Sequence, residues 1–231
     1  MLQEIERYNV LLKIIKNSLE DLKKAILGLV VMSGDLEEAF NCIYETRVPP
    51  LWENAYSSLK PLAAWTRDMV ARVEQLAGWA ESAHPPHIFW MSGFTFPTGF
   101  LTAVLQFSAR QNAVPVDSLS WEFSVFTVDD NNITSAPQDG VYIKGLYLEG
   151  AGWDKKAACL VEANPMQLTT PIPTIHFKPT EARKKQAKGF FACPTYYYPI
   201  RSTSFVVSVD LKAGTFRLLK NIPKKIHWTV F

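Results

Sequence analysis

Cysteine is scarce in this chain and never paired. Cys42, Cys159 and Cys193 lie far apart, with no C-x-x-C spacing, which leaves neither a zinc ribbon nor a thioredoxin-like motif. Scattered single thiols fit a reducing compartment, where Cys acts as a small buried hydrophobe. Phosphate-cradling sequence is missing too, because no G-x-x-x-x-G-K-[ST] occurs. So is a strong net charge. The formal value is +2, too small to draw the whole chain to nucleic acid or to an anionic membrane. The opening MLQEIERYN carries acids where a signal peptide needs a basic and then an apolar run. A cytosolic protein is expected.

The longest absence is of charge. From Ser82 to Ala109 there is no Asp, Glu, Lys or Arg, a length that could span a bilayer. Pro85, Pro86 and Pro97 break it, and backbone groups freed in lipid are costly, which argues against insertion. Inside it, FWMSGFTFPTGF holds Phe89, Trp90, Phe94, Phe96 and Phe100. No lysine follows Gly93 or Gly99 at useful reach. Trp90 stands where a nucleophile elbow needs its first glycine, so Ser92 reads as a turn or cap. The window reads as a buried junction.

Other chemistry fails on spacing. His84 and His87 flank two prolines with no adjoining Cys or acid cluster, short of the four ligands zinc wants. DDNNIT lacks the glycine and the final Glu of a calcium loop and reads as a hairpin loop. Asp154 and Glu162 have no partner that would make an acid/base pair. Lys178, Arg183, Lys184, Lys185 and Lys188, in the basic loop 178–189, read as a solvated loop, and Tyr196, Tyr197 and Tyr198 as strand packing. No catalytic, cofactor-binding or metal-binding residue is assigned, and no cofactor is expected.

What is present is pattern. Residues 1–83 carry nine basic and twelve acidic side chains, the remainder fifteen and ten, which reads as two differently built regions. Leu2, Ile5, Tyr8, Leu12, Ile15, Leu19, Leu22, Ile26 and Leu29 step by three and four, one helical stripe, with Gly28 the weak point at its end. SGDLEEAF restarts a helix, with Asp35 as cap and Glu38 reaching back, and Leu36, Phe40 and Ile43 as its apolar face. VPPLW breaks the chain. A third helix follows Ser58 as cap and Pro61 in its first turn, burying Leu62, Trp65, Met69, Val73, Leu76 and Ala80.

Residues 97–111 give one more helix, opened by Pro97. From Ser120 the period becomes two. SWEFSVFTV places Trp121, Phe123, Val125 and Thr127 on one side, and TSFVVSVDL places Phe205, Val207, Val209 and Leu211 likewise. GVYIKGLYLEG, PIPTIHFKP (an edge, by its prolines) and FFACPTYYY supply the other strand regions. The expected fold is α+β: a helical bundle over 1–83, a hinge and connecting helix over 84–116, and a small antiparallel β-barrel or sandwich over 117–231.

Long, unusual motifs then carry a resemblance. LQEIERYNVLLKIIKNSLEDLKKAILGLVVMSGDLEEAF, VPPLW, SLKPL, FWMSGFTFPTGFLTAVLQFSAR, DGVYIKGLYLEGAGWD, PIPTIHFKP and CPTYYYPIRS resemble the C-terminal end of dynein heavy chains through nearly the whole sequence. The likeness is nearer to the axonemal heavy chains of cilia and flagella than to cytoplasmic ones. It implies that residues 1 to about 45 close the sixth AAA+ module. The rest would be the C-terminal domain, helices then a barrel, lying across one face of the motor ring. ATP hydrolysis and microtubule gripping belong to other modules of such motors and to their stalk, so this region is expected to be structural or regulatory and not an enzyme. The implied partners are the rest of the motor ring and other dynein subunits, with microtubules reached only through the stalk. Two departures stand out: only Thr229, Val230 and Phe231 follow Trp228, and FRLLKNIPKKI precedes it. The last barrel strand is therefore expected to be absent, shortened or replaced, and Met1 reads as the start of an excised fragment. Two other classes stay open: a free-standing interaction module binding a helix or peptide at an exposed barrel edge, and an enzyme with an unrecognised site.

Overall fold

The computed structural model describes the chain except residues 57, 83, 128, 182–188, 198–205, 215–224 and 229–231. Its contacts divide it into two compact units, Met1–Glu81 and, among the described residues, those from Ser82 to Trp228.

The first unit is helical. Helix α1 runs Leu2–Ile26 and ends in a glycine turn: Gly28, at φ +72°, lets its own N–H reach Ala25 O and that of Leu29 reach Lys24 O, closing carbonyls that would otherwise be orphaned. Helix α2 runs Gly34–Tyr44, and its cap is Ser33, whose hydroxyl accepts from Leu36 N, while Asp35, the expected cap, is the second helical residue. Its buried residues are Ala39 and Cys42, while Phe40 is exposed, so its inward face is turned from the expected one. Pro50 opens the short helix α3, Pro50–Glu53, where a missing N–H costs nothing.

Helix α4 runs Leu62–Glu81. The carbonyl of Pro61 starts its hydrogen bonding, whereas Ser58 Oγ accepts from Lys60 N and does not cap it. Trp65, Met69 and Leu76 are buried as expected, and Ala80 is exposed. The core joins Tyr8, Leu11, Trp52, Tyr56, Trp65, Met69 and Leu76. Its polar atoms are satisfied as burial requires: Trp52 Nε1 donates to Ser18 Oγ at 2.9 Å and Trp65 Nε1 to Tyr56 O at 3.4 Å. Arg72, fully buried and unforeseen, lies 4.0 Å over the Tyr56 ring, and its guanidinium is 4.0 Å from Asp68, which also pairs with Lys60.

The second unit opens with strand β1, Ile88–Trp90, a single 3-10 turn Met91–Gly93, and helix α5, Pro97–Asn112. Then come strands β2 Ser120–Val125, β3 Val141–Lys144, β4 Tyr147–Glu149, β5 Gly152–Asp154, β6 Cys159–Val161, β7 Thr169–Pro171, β8 Ile175–Thr180, β9 Phe190–Tyr197, β10 Val207–Lys212 and β11 Lys225–Trp228. They form sheets ordered β1-β3-β8-β2, β10-β9-β11-β4-β7 and β5-β6.

Mixed helix and strand content is as expected, but the sheets are not purely antiparallel: β1 pairs with β3, and β11 with β9, in parallel. The segment DDNNIT is not a hairpin loop, because β8 lies between β2 and β3. PIPTIHFKP is not simply an edge either. β7 is one, but β8 is interior, and its Pro179 is tolerated because β3 pairs only as far as Phe177. A last strand is present as β11, bridging β9 and β4. Val207, Val209 and Leu211 are buried on one face as expected, while Phe205 lies outside the described residues. Trp121 and Phe123 do share a face, both packing edge-on against fully buried Phe177, but both are only half-buried.

Candidate interaction surface

The charge-free aromatic window is packed in part, with Phe96 46% exposed. Phe89, Phe94 and Phe100 bring their ring centroids within 4.5–6.3 Å of one another, and Met91, Ser92 and Gly93 are buried beside them. Ser92 Oγ donates to Gly145 O at 3.0 Å, a structural role. His84 and His87 are exposed, and no group of three metal-ligating side chains forms among the described residues. Asp130 accepts the Thr174 hydroxyl, tying its loop to the start of β8. Asp154 Oδ1 accepts from the N–H groups of Lys156 and Ala157, which makes the β5–β6 turn, and Glu162 is exposed. Arg183, Lys184, Lys185, Lys188 and Tyr198 lie outside the described residues. All three cysteines are free and buried. Burial, aided by Asp210, pushes the Cys193 thiol up to about 12.

No helix among the described residues is long and apolar enough to cross a membrane. The β7 edge offers little to a peptide. Gly150 N–H reaches Leu168 O and Ile172 N–H reaches Leu146 O, so by antiparallel alternation Thr169 and Pro171 point away from β4. Pro171 has no N–H to give, and the Thr169 carbonyl already accepts from Gln167 Nε2 at 3.1 Å. That edge is blunted.

An apolar surface is left open on the helices. Of the α1 stripe, Tyr8 and Leu22 are buried and Ile5 and Ile15 half-buried, but Leu12 (37% exposed), Leu19 (43%) and Ile26 (59%) face outward. Leu11, absent from the expected stripe, is buried in their place. Past the helix, Leu27, Leu29, Val30, Val31 (87%) and Met32 are exposed in succession. Beside α4 an open hollow of about 530 Å³ is lined by Thr46, Leu62, Ala63, Thr66, Arg67 and Val70. Isolated exposed apolar residues are ordinary, but a continuous run of them marks a surface awaiting a partner.

A family model for the C-terminal domain of dynein heavy chains matches residues 1–230. The protein belongs to this family. Among its dynein relatives, human dynein axonemal heavy chain 2 is 64% identical over 219 residues. The mouse dynein axonemal heavy chain 2 is 62% identical over 220 residues. The Chlamydomonas reinhardtii dynein-1-beta heavy chain of the flagellar inner arm I1 complex is 51% identical over 220 residues. Each alignment covers 93% of this sequence and 5% of the relative. The 231 residues thus span a small fraction of the length of the dyneins they match, and the expected likeness to axonemal heavy chains holds.

Proposed function

We propose that this protein is the non-catalytic, structural and regulatory C-terminal part of an axonemal dynein heavy chain, bracing the AAA+ motor ring and tuning microtubule-based movement of cilia or flagella. Its place is then the axoneme, and its partner the rest of the heavy chain. Residues 1 to about 45 would close the sixth AAA+ module, with the C-terminal domain beyond and the strands of its second unit forming an open barrel. The position of β10 alongside both β2 and β6 supports that barrel.

The observation that carries the reading is the uncovered apolar surface of α1 and residues 26–32, in a sequence matching 5% of each relative's length. Such a surface costs stability in water and is relieved by burial against the missing heavy chain. The test compares a complete heavy chain with one lacking this region. ATP turnover should persist while microtubule gliding speed changes; unchanged gliding would remove the regulatory role. Saturable, magnesium-dependent ATP binding by the isolated 231-residue protein in calorimetry would point to an unrecognised enzyme site instead.

A further inference from the structure

The apolar positions of α1 obey a stricter rule than three-and-four spacing. Ile5, Leu12, Leu19 and Ile26 recur every seven residues, and so do Tyr8, Ile15, Leu22 and Leu29. These are the two apolar positions of a heptad repeat, the pattern of helices that pack side by side. The fold uses one of the two rows. Tyr8, Ile15 and Leu22 turn into the core with Leu11 and Ser18, while Leu12, Leu19 and Ile26 form a ridge left outside. Half of a coiled-coil seam is filled and half is open.

Charge on the open side narrows the occupant. The heptad row next to the ridge on its outer flank is Leu2, Asn9, Lys16 and Lys23. Lys16 meets only Glu20, at 3.9 Å and largely exposed, a pair worth little. Lys23 makes no ion pair among the described residues. A second copy in antiparallel register would set lysine flank against lysine flank, which disfavours self-pairing. We propose that the Leu12, Leu19 and Ile26 ridge seats an α-helix with an apolar seam and an acidic flank, contributed by the part of the heavy chain that precedes residue 1. This rests on the reading that the protein is part of a longer heavy chain, and it adds the face and the chemistry of the contact.

Thiol labelling read position by position by peptide mass spectrometry tests it, and the three native cysteines of the 231 residues are buried. Leu12→Cys, Leu19→Cys, Val10→Cys and Val31→Cys are each labelled with a maleimide in the 231-residue protein and in the complete heavy chain. Val10 is exposed on another side of α1 and serves as the control. Leu12→Cys and Leu19→Cys should react at least about tenfold more slowly in the heavy chain, and Val10→Cys at an unchanged rate. Equal ridge labelling in both overturns the proposal. If Val31→Cys alone is protected, docking uses another face, so the ridge fails while the broader reading stands; if no position changes, both fail. Adding Lys16→Glu and Lys23→Glu, both solvent-exposed changes, should restore ridge labelling. Protection that survives this reversal overturns the acidic flank.

Discussion

Replacing Gly145 by alanine probes the packing of the junction directly. Gly145 sits at φ +81°, a left-handed conformation that costs an L-residue about 1–2 kcal/mol. A Cβ there would lie 2.3 Å from Trp90 Cδ1 and 2.6 Å from its Nε1, against the roughly 3.5–4.0 Å that carbon contacts prefer. The indole would have to retreat by roughly 1 Å or more, straining a carbonyl that also accepts the Ser92 hydroxyl at 3.0 Å; overpacking of this kind costs about 1–3 kcal/mol. The expected total is about 2–5 kcal/mol, which at about 2–4 °C per kcal/mol is a Tm fall of about 4–20 °C. Thermal melts followed by near-UV circular dichroism would measure it. Gly28→Ala is the comparator: Gly28 has φ +72° but nothing within 4 Å of an added Cβ, so it reports backbone strain alone. If the two variants lose equal stability, the close approach of Trp90 contributes nothing and the reasoning is refuted.

Phe177→Ala should cost about 3–5 kcal/mol in urea unfolding, because the ring is fully buried beneath Trp121 and Phe123. Trp121→Ala should cost clearly less, since that indole is only half-buried; equal losses would contradict the burial difference. Burial of the Cys193 thiol predicts a pH effect of definite sign. The folded value is raised from 9.0 to about 12, so this group's contribution is complete below pH 9 and is lost as pH rises towards 12. Cys193→Ser should flatten that part of the stability–pH curve, and a curve as steep as the parent's would show that Cys193 is not its source.

Local order was largely legible in the sequence, because helix periodicity and glycine or proline punctuation act over a few residues. Helix α4, helix α5 and strand β10 follow their apolar spacing closely, and Gly28 ends α1. Non-local choices were not legible. Nothing in PIPTIHFKP reveals that β8 slots between β2 and β3, since a proline is tolerated wherever the neighbouring strand stops short. The stripe on α1 was visible, but which of its edges meets the core depends on Trp52 and Trp65, far along the sequence. Buried Arg72 was hidden for a similar reason: i,i+4 spacing sets it beside Asp68, 4.0 Å away, but the Tyr56 ring beneath its guanidinium lies outside helix α4. The open surface follows from the same gap, because sequence spacing marks an apolar row without saying whether the fold covers it.

The placement of β11 has a consequence for how the protein assembles in time. Strands β9 and β4 are joined within their sheet only through β11, with Ile226 paired in register with Leu148 on one side and Thr195 on the other. A strand near residue 226 must therefore return to a partner near residue 148 before the sheet is continuous, and long loop closures of this kind are slow. During synthesis β4 and β9 emerge first and wait with facing edges open, a state prone to pairing with the wrong strand. Completion of the five-stranded sheet is thus a late folding event, gated by four residues, Lys225–Trp228, that arrive after every strand they join.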